Sequence, residues 1–147
     1  MTRKRSGTAI LVLVACLCAL TTMAQAQKQL PADYQTGVAQ MRVAKAYLEK
    51  AGDHWGGHRA GAIELIDKAF QALGVSPEST PNELQSGNTD EPTMMTNGIS
   101  KLQAARAEIA KSSNALGGRK TQALSYIDQA LQQLQQGITW AKQHKSY

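Results

Sequence analysis

The stretch Gly37–Leu73, GVAQMRVAKAYLEKAGDHWGGHRAGAIELIDKAFQAL, and the stretch Gly98–Leu134, GISKLQAARAEIAKSSNALGGRKTQALSYIDQALQQL, are one segment written twice. A shift of 61 positions lays one on the other without a gap, and 12 of the 37 pairs are identical. Among them are Gly37/Gly98, Lys50/Lys111, Gly56-Gly57/Gly117-Gly118, Ile66-Asp67/Ile127-Asp128 and Leu73/Leu134. Val38/Ile99, Met41/Leu102, Leu48/Ile109, Arg59/Lys120, Ile63/Leu124 and Phe70/Leu131 keep their chemistry. Richness in alanine raises chance matches, but it does not set Gly-Gly and Ile-Asp steps in one register. An internal repeat of this kind governs the reading of the whole chain.

Each copy reads as helix, tight turn, helix. Tyr34, Val38, Met41, Ala44, Leu48, Ala51 and Trp55 recur at three- and four-residue steps, which forms one stripe on a helix and would scatter over both faces of a strand. The matching arm offers Ile99, Leu102, Ala105, Ile109 and Leu116. The second arms carry broader stripes: Ala62, Ile63, Leu65, Ile66, Ala69, Phe70 and Leu73, then Ala123, Leu124, Tyr126, Ile127, Ala130, Leu131, Leu134, Ile138 and Ala141. Stripes of that width are what a bundle core requires. The glycine pairs permit the reversal between arms, because glycine enters the left-handed region without a Cβ clash. Thr36 and Asn97 are candidate N-caps, and Pro31 offers an earlier start. The expected fold is all-α, a four-helix bundle of two tandem homologous hairpins, hairpin one over 31–73 and hairpin two over 97–143. Between them, 74–96 holds Pro77, Pro81 and Pro92, with acids Glu78, Glu83, Asp90 and Glu91 and no Lys or Arg. It reads as an acidic connector that leaves the relative direction of the hairpins open.

The start of the chain reads as a targeting segment. Arg3, Lys4 and Arg5 precede the apolar run Ala9 to Leu20, which is too short for a membrane span, and Ala24-Gln25-Ala26 is a small-x-small cleavage site. A signal peptide over 1–26 and a mature chain over 27–147 are expected, periplasmic or secreted. A minority reading makes Leu13-Val14-Ala15-Cys16 a lipobox, with the protein anchored at Cys16. Removing Arg3, Lys4 and Arg5 takes 16 basic residues to 13 against 11 acids, so the net charge falls from +5 to +2. That value gives no case for nucleic acid. Cys16 and Cys18 lie in the same segment, so the mature chain has no disulfide, thiolate metal site or cysteine nucleophile.

Few residues suggest chemistry. Asp53-His54-Trp55-Gly56-Gly57-His58-Arg59 places two imidazoles and a carboxylate around the first turn, the residue types that bind zinc or copper. The glycines break the helix that would align His54 with His58, and copy two has Asn114, Ala115 and Arg119 instead. Arg59 and Lys120 are candidates for an anion or headgroup contact at the tip, or for solvating a helix end. Asp67 and Asp128 are expected as edge carboxylates pairing with Lys or Arg, since the Glu-x-x-His motifs of carboxylate di-metal bundles are absent. Trp55, Trp140, Tyr47 and Tyr126 read as core or rim packing. No phosphate loop, serine elbow or haem motif occurs. No catalytic, cofactor-binding or metal-binding residue is assigned, and a non-enzymatic protein is expected.

Leu48, Ala51, His54, Gly56-Gly57-His58-Arg59, Ala62-Ile63, Leu65-Ile66-Asp67 and Ala69 together resemble a motif of small exported helical-hairpin proteins of environmental bacteria. The resemblance covers mainly the first hairpin, with Gly-Gly-Arg-Lys for Gly-Gly-His-Arg in the second, and implies export and the hairpin but no activity. Small histidine-rich periplasmic metal-binding bundles are a more distant likeness, and this chain has three histidines. The expectation is a binding or structural module of the cell envelope with a protein or envelope partner, no nucleic acid, and no transmembrane segment in the mature chain. The alternative is a periplasmic small-ligand or metal-binding protein that uses the His54/His58 turn.

Overall fold

Four helices account for most of the computed structural model, which describes residues 30–79 and 90–145. The expected signal peptide with Cys16 and Cys18, and the middle of the connector, lie outside the described residues. A 3-10 turn at Ala32–Tyr34 leads into α1 (Gln35–Lys50), followed by α2 (His58–Leu73), α3 (Glu91–Lys111), a second 3-10 turn at Asn114–Leu116, and α4 (Gly118–His144). Among the described residues there is no strand. The protein is an all-α four-helix bundle.

The helix ends show which local signals acted. Thr36 and Asn97 cap nothing, because both lie inside helices. The cap of α3 is Asp90, whose carboxylate accepts from the Thr93 amide at 2.9 Å, with Glu91 and Pro92 as the first helical residues. Acids complement the positive end of a helix dipole, and a proline in the first turn forfeits no internal hydrogen bond. The end of the acidic stretch expected as connector is therefore the first turn of α3. At the close of α2, Val75 N donates to Phe70 O and Gly74 N to Gln71 O, with Gly74 at φ 75°. This doubly bonded left-handed stop favours glycine. Of the paired turn glycines, Gly56 and Gly117 both have positive φ, whereas Gly57 is left-handed and its counterpart Gly118 is already helical.

The hairpins lie against each other like on like: α1 packs against α3 and α2 against α4, more extensively than the arms of either hairpin pack together. Glycines set the closest approach. A Cβ on Gly37 would fall 2.6 Å from Ile109 Cγ1, and one on the matching Gly98 would fall 2.7 Å from Leu48 Cδ2. Leu48 is itself the counterpart of Ile109. The start of α1 thus meets the end of α3 and the reverse, so the pair is antiparallel. This reciprocity, in which i meets j and the copy of i meets the copy of j, is the signature of a twofold interface, here within one chain.

One core results. Tyr34, Val38, Met41, Ala44, Leu48, Ala51 and Trp55 are all buried in it, with Ala62, Ile66, Ala69, Phe70 and Leu73 from α2. Leu102, Ala105 and Ile109 join from α3, and Ala123, Ile127, Ala130, Leu134 and Ala141 from α4. Ile63, Leu65, Ile99, Leu116, Leu124, Tyr126, Leu131, Ile138 and Trp140 form a half-buried rim. Met95, the counterpart of Tyr34, is also fully buried, although it precedes the start at 97 expected for hairpin two.

Candidate functional site

Most of the residues with chemical potential serve the fold, and they do so in matched pairs. Lys45 Nζ lies 2.7 Å from Asp67 Oδ1, and Arg106, the counterpart of Lys45, binds Asp128 with both carboxylate oxygens engaged. The two aspartates are edge carboxylates paired with cations, one in each hairpin. Lys45 also donates to Pro77 O at 2.7 Å and ties down the chain beyond α2.

Arg59 and Lys120 hold the helix before them. Arg59 Nη1 donates to Leu48 O at 2.9 Å and Glu49 O at 3.3 Å, and its other nitrogen pairs with Asp53. Lys120 Nζ donates to Ala110 O at 2.9 Å and Ser112 O at 2.6 Å. The last carbonyls of a helix have no partner within it, and a cation there also meets the negative end of the dipole. In sequence both residues follow a turn and enter a new helix, so the benefit to the preceding helix becomes visible only when the chain reverses.

The 3-10 turn before α1 latches onto the end of α3. Ser112 Oγ donates to Asp33 O at 2.7 Å, the Ser113 amide donates to the Asp33 carboxylate, and the Tyr34 hydroxyl donates to Ser113 O. Hydrogen bonds from Ser113 hold the Asp33 carboxyl below the ordinary aspartate value, and those from Thr93 do the same for Asp90. Burial, helped by the charge on Asp33, pushes the Tyr34 hydroxyl up.

The turn histidines part company. His54 is exposed and stands 3.9 Å from a Glu91 oxygen at the head of α3, a weak contact. His58 turns to α4, where its Nδ1 lies 2.8 Å from Gln133 Oε1. Among the described residues no three His, Cys, Asp or Glu side chains gather where they could hold a metal ion. Copy two uses the same geometry for another purpose: Arg119, the counterpart of His58, donates to the carbonyl of Ala72, the counterpart of Gln133.

One region has no twin. The last matched residue is Leu134, yet α4 continues to His144. This extension passes over the first hairpin's turn, close enough that a Cβ on Gly137 would lie 3.2 Å from His58 Cβ. With His58 and Gln132 it lines an open cleft of about 540 Å³, to which the extension gives Gln135, Gln136, Thr139, Trp140 and Gln143. A Cβ on Gly56 would sit 2.7–2.9 Å from three central atoms of the Trp140 indole, so that glycine rests on one ring face. His144 stacks on the indole with centroids 4.1 Å apart and planes at 16°, which places it over the other face. The two tryptophans have different roles: Trp55 is core, its Nε1 donating to Ala51 O, and Trp140 is a half-exposed wall. The only sequence signal for the cleft is a row of uncharged polar residues continuing a helix past the end of its repeat.

Among the described residues no helix is long and apolar enough to cross a membrane. Comparison with protein-family models, curated proteins and solved structures gave no match.

Proposed function

We propose that the protein is a non-enzymatic binding module exported to the cell envelope, and that it binds through the cleft on the α4 extension. The observation that carries this reading is the division of labour in the bundle. Matched residues seal the core, cap helix ends and pair charges, whereas most of the cleft, Gln135, Gln136, Thr139, Trp140 and Gln143, lies past Leu134, where the repeat ends. Four glutamines and a threonine side by side on one helix surface give hydrogen-bonding capacity, and the lining holds no carboxylate, lysine or cysteine to serve acid–base or covalent catalysis. Open, polar and partly aromatic, the cleft suits recognition. The basic n-region, apolar run and Ala24-Gln25-Ala26 support export, with Gln27 as the mature N-terminus.

The test is site-specific cross-linking in exporting cells. A photoreactive side chain at Gln136, in the cleft, should capture an envelope component. The same group at Gln103, exposed on α3, should not. Equal capture at both positions, or at neither, would overturn the assignment. Intact mass of the exported protein should begin at Gln27; a lipidated Cys16 would establish the anchored form instead.

A further inference from the structure

We infer that the cleft on the α4 extension takes a neutral, polyhydroxylated carbohydrate chain, with Trp140 as its platform and the glutamine row as its hydrogen-bonding wall. This rests on the reading of the cleft as the binding surface and adds the class of ligand. The lining contains no Lys, Arg, Asp or Glu. A charged ligand would find no opposite charge in the lining to attract it. An amide side chain both donates and accepts, and so does a sugar hydroxyl. A wall of four amides and a threonine hydroxyl therefore satisfies hydroxyl groups in whatever direction they point. A protein partner would instead look for a desolvated apolar centre with several anchors, and here one aromatic ring stands among hydrogen-bonding groups.

The shape agrees with the chemistry. Gln132, Gln136, Thr139 and Gln143 follow one another at three- and four-residue steps and so share a helix face. The eleven steps from Gln132 to Gln143, at ~1.5 Å each, extend about 16 Å, which suits a chain of sugars better than a single ring. Trp140 is held in place by Gly56, and a fixed indole can receive the C–H face of a pyranose at little entropic cost. That indole face is at present covered by His144, the last residue of α4 and an exposed one. A sugar could stack on that face only after the imidazole swings off it, so His144 competes with the ligand. His58 flanks the same cleft, with Nδ1 committed to Gln133.

The experiment is titration of the exported protein with three oligosaccharides, followed by calorimetry and tryptophan fluorescence. The β-1,4-linked N-acetylglucosamine tetramer and the α-1,4-linked glucose tetramer are neutral; the galacturonate tetramer is acidic. Binding of at least one neutral tetramer in the millimolar range or tighter is expected, with a change in indole emission, and weaker or no binding of the acidic one. Trp140→Ala should abolish binding. In case that variant unfolds, Gln136→Ala and Gln143→Ala, both at exposed positions, should each weaken it about fivefold, as the loss of a hydrogen bond would. His144→Ala should tighten it severalfold, an effect no merely structural role predicts. Three outcomes would each overturn the inference: no binding of either neutral tetramer, equal binding of the acidic one, or affinity indifferent to Gln136→Ala and Gln143→Ala. Cross-linking of a protein at Gln136 without saccharide binding would leave the binding module standing and remove the carbohydrate.

Discussion

The second helices of the two hairpins start in the same register and end differently. α2 stops at Leu73 because Gly74 turns the chain left-handed, and any side chain there would also run into the Arg119 guanidinium. α4 passes the matched Leu134 without a stop and adds a further stretch to His144. Up to Leu73 and Leu134 the core positions, the aspartate ion pairs and the cations on the preceding helix ends are equivalent in the two halves. Beyond them α2 has no helical continuation, whereas α4 adds further turns that place Ala141 in the core and a polar cleft beside Trp140. Duplication supplies a core that a lone hairpin lacks, since each helix finds its main partner in the other copy. Once that need is met, the extra turns of one helix are free to differ.

The largest effects should come from breaking the shared core at equivalent points. Ile66 and Ile127 are both fully buried, and truncating such a residue leaves a cavity and loses ~2–5 kcal/mol. Ile66→Ala and Ile127→Ala should lower the urea midpoint by similar amounts; a large effect of one with almost none of the other would break the equivalence. Gly37→Ala should come next, at about 1–2 kcal/mol, because overpacking exceeds the gain in helix propensity. Its new methyl would also face the Ala105 carbonyl at 3.2 Å and the Ile109 amide at 3.3 Å, which cannot yield. Gly98→Ala should cost a similar amount, since its methyl would fall 2.7 and 2.8 Å from Cδ2 and Cγ of Leu48, a fully buried side chain.

The matched ion pairs sharpen the contrast further. The Lys45 and Asp67 side chains are 10% and 31% exposed, those of Arg106 and Asp128 44% and 48%. Asp67→Ala leaves a nearly buried ammonium with only the Pro77 carbonyl and the Glu49 carboxylate, 3.8 Å away, and should cost ~1–2 kcal/mol. Asp128→Ala frees an exposed arginine and should cost under ~1 kcal/mol. Any gain in helix propensity applies to both and cancels in the comparison.

Acid should reveal the smallest effect. Asp33 and Asp90 are held below their ordinary value in the folded state. Their contribution is therefore fully present above that value and is lost as pH falls through the lowered one. The melting temperature of the wild type should drop through this acid range, and that of Asp33→Asn plus Asp90→Asn should drop less. An equal fall in both would show that other carboxylates carry the acid sensitivity.

The burial of the first-arm stripe from Tyr34 to Trp55 was legible residue for residue, but its helix was not: α1 runs only from Gln35 to Lys50, and Ala51 and Trp55 reach the core from the turn. The start of α3 was not legible either. Asn97 matched Thr36 in the alignment of copies, whereas the physical cap, Asp90, belongs to a stretch whose prolines and acids also describe a connector. The tasks of Arg59 and Lys120 were hidden for a different reason: each acts on the helix before its own turn, a relation through space. The cleft was nearly invisible, since exposed glutamines on a helix have no periodic signature. Trp140 stands on a helix past the end of the repeat and Trp55 in the first hairpin's turn, and the residue type alone does not say which of them is core.

Amide hydrogen exchange at Ile66 and Ile127, followed in the mature chain as urea is added, tests most directly whether the two copies form one core. If they do, both amides open only with the whole molecule, and they share one opening free energy and one dependence on urea. Exchange at one isoleucine through a separate, lower-energy opening while the other stays protected would show two independent hairpins and contradict the like-on-like bundle.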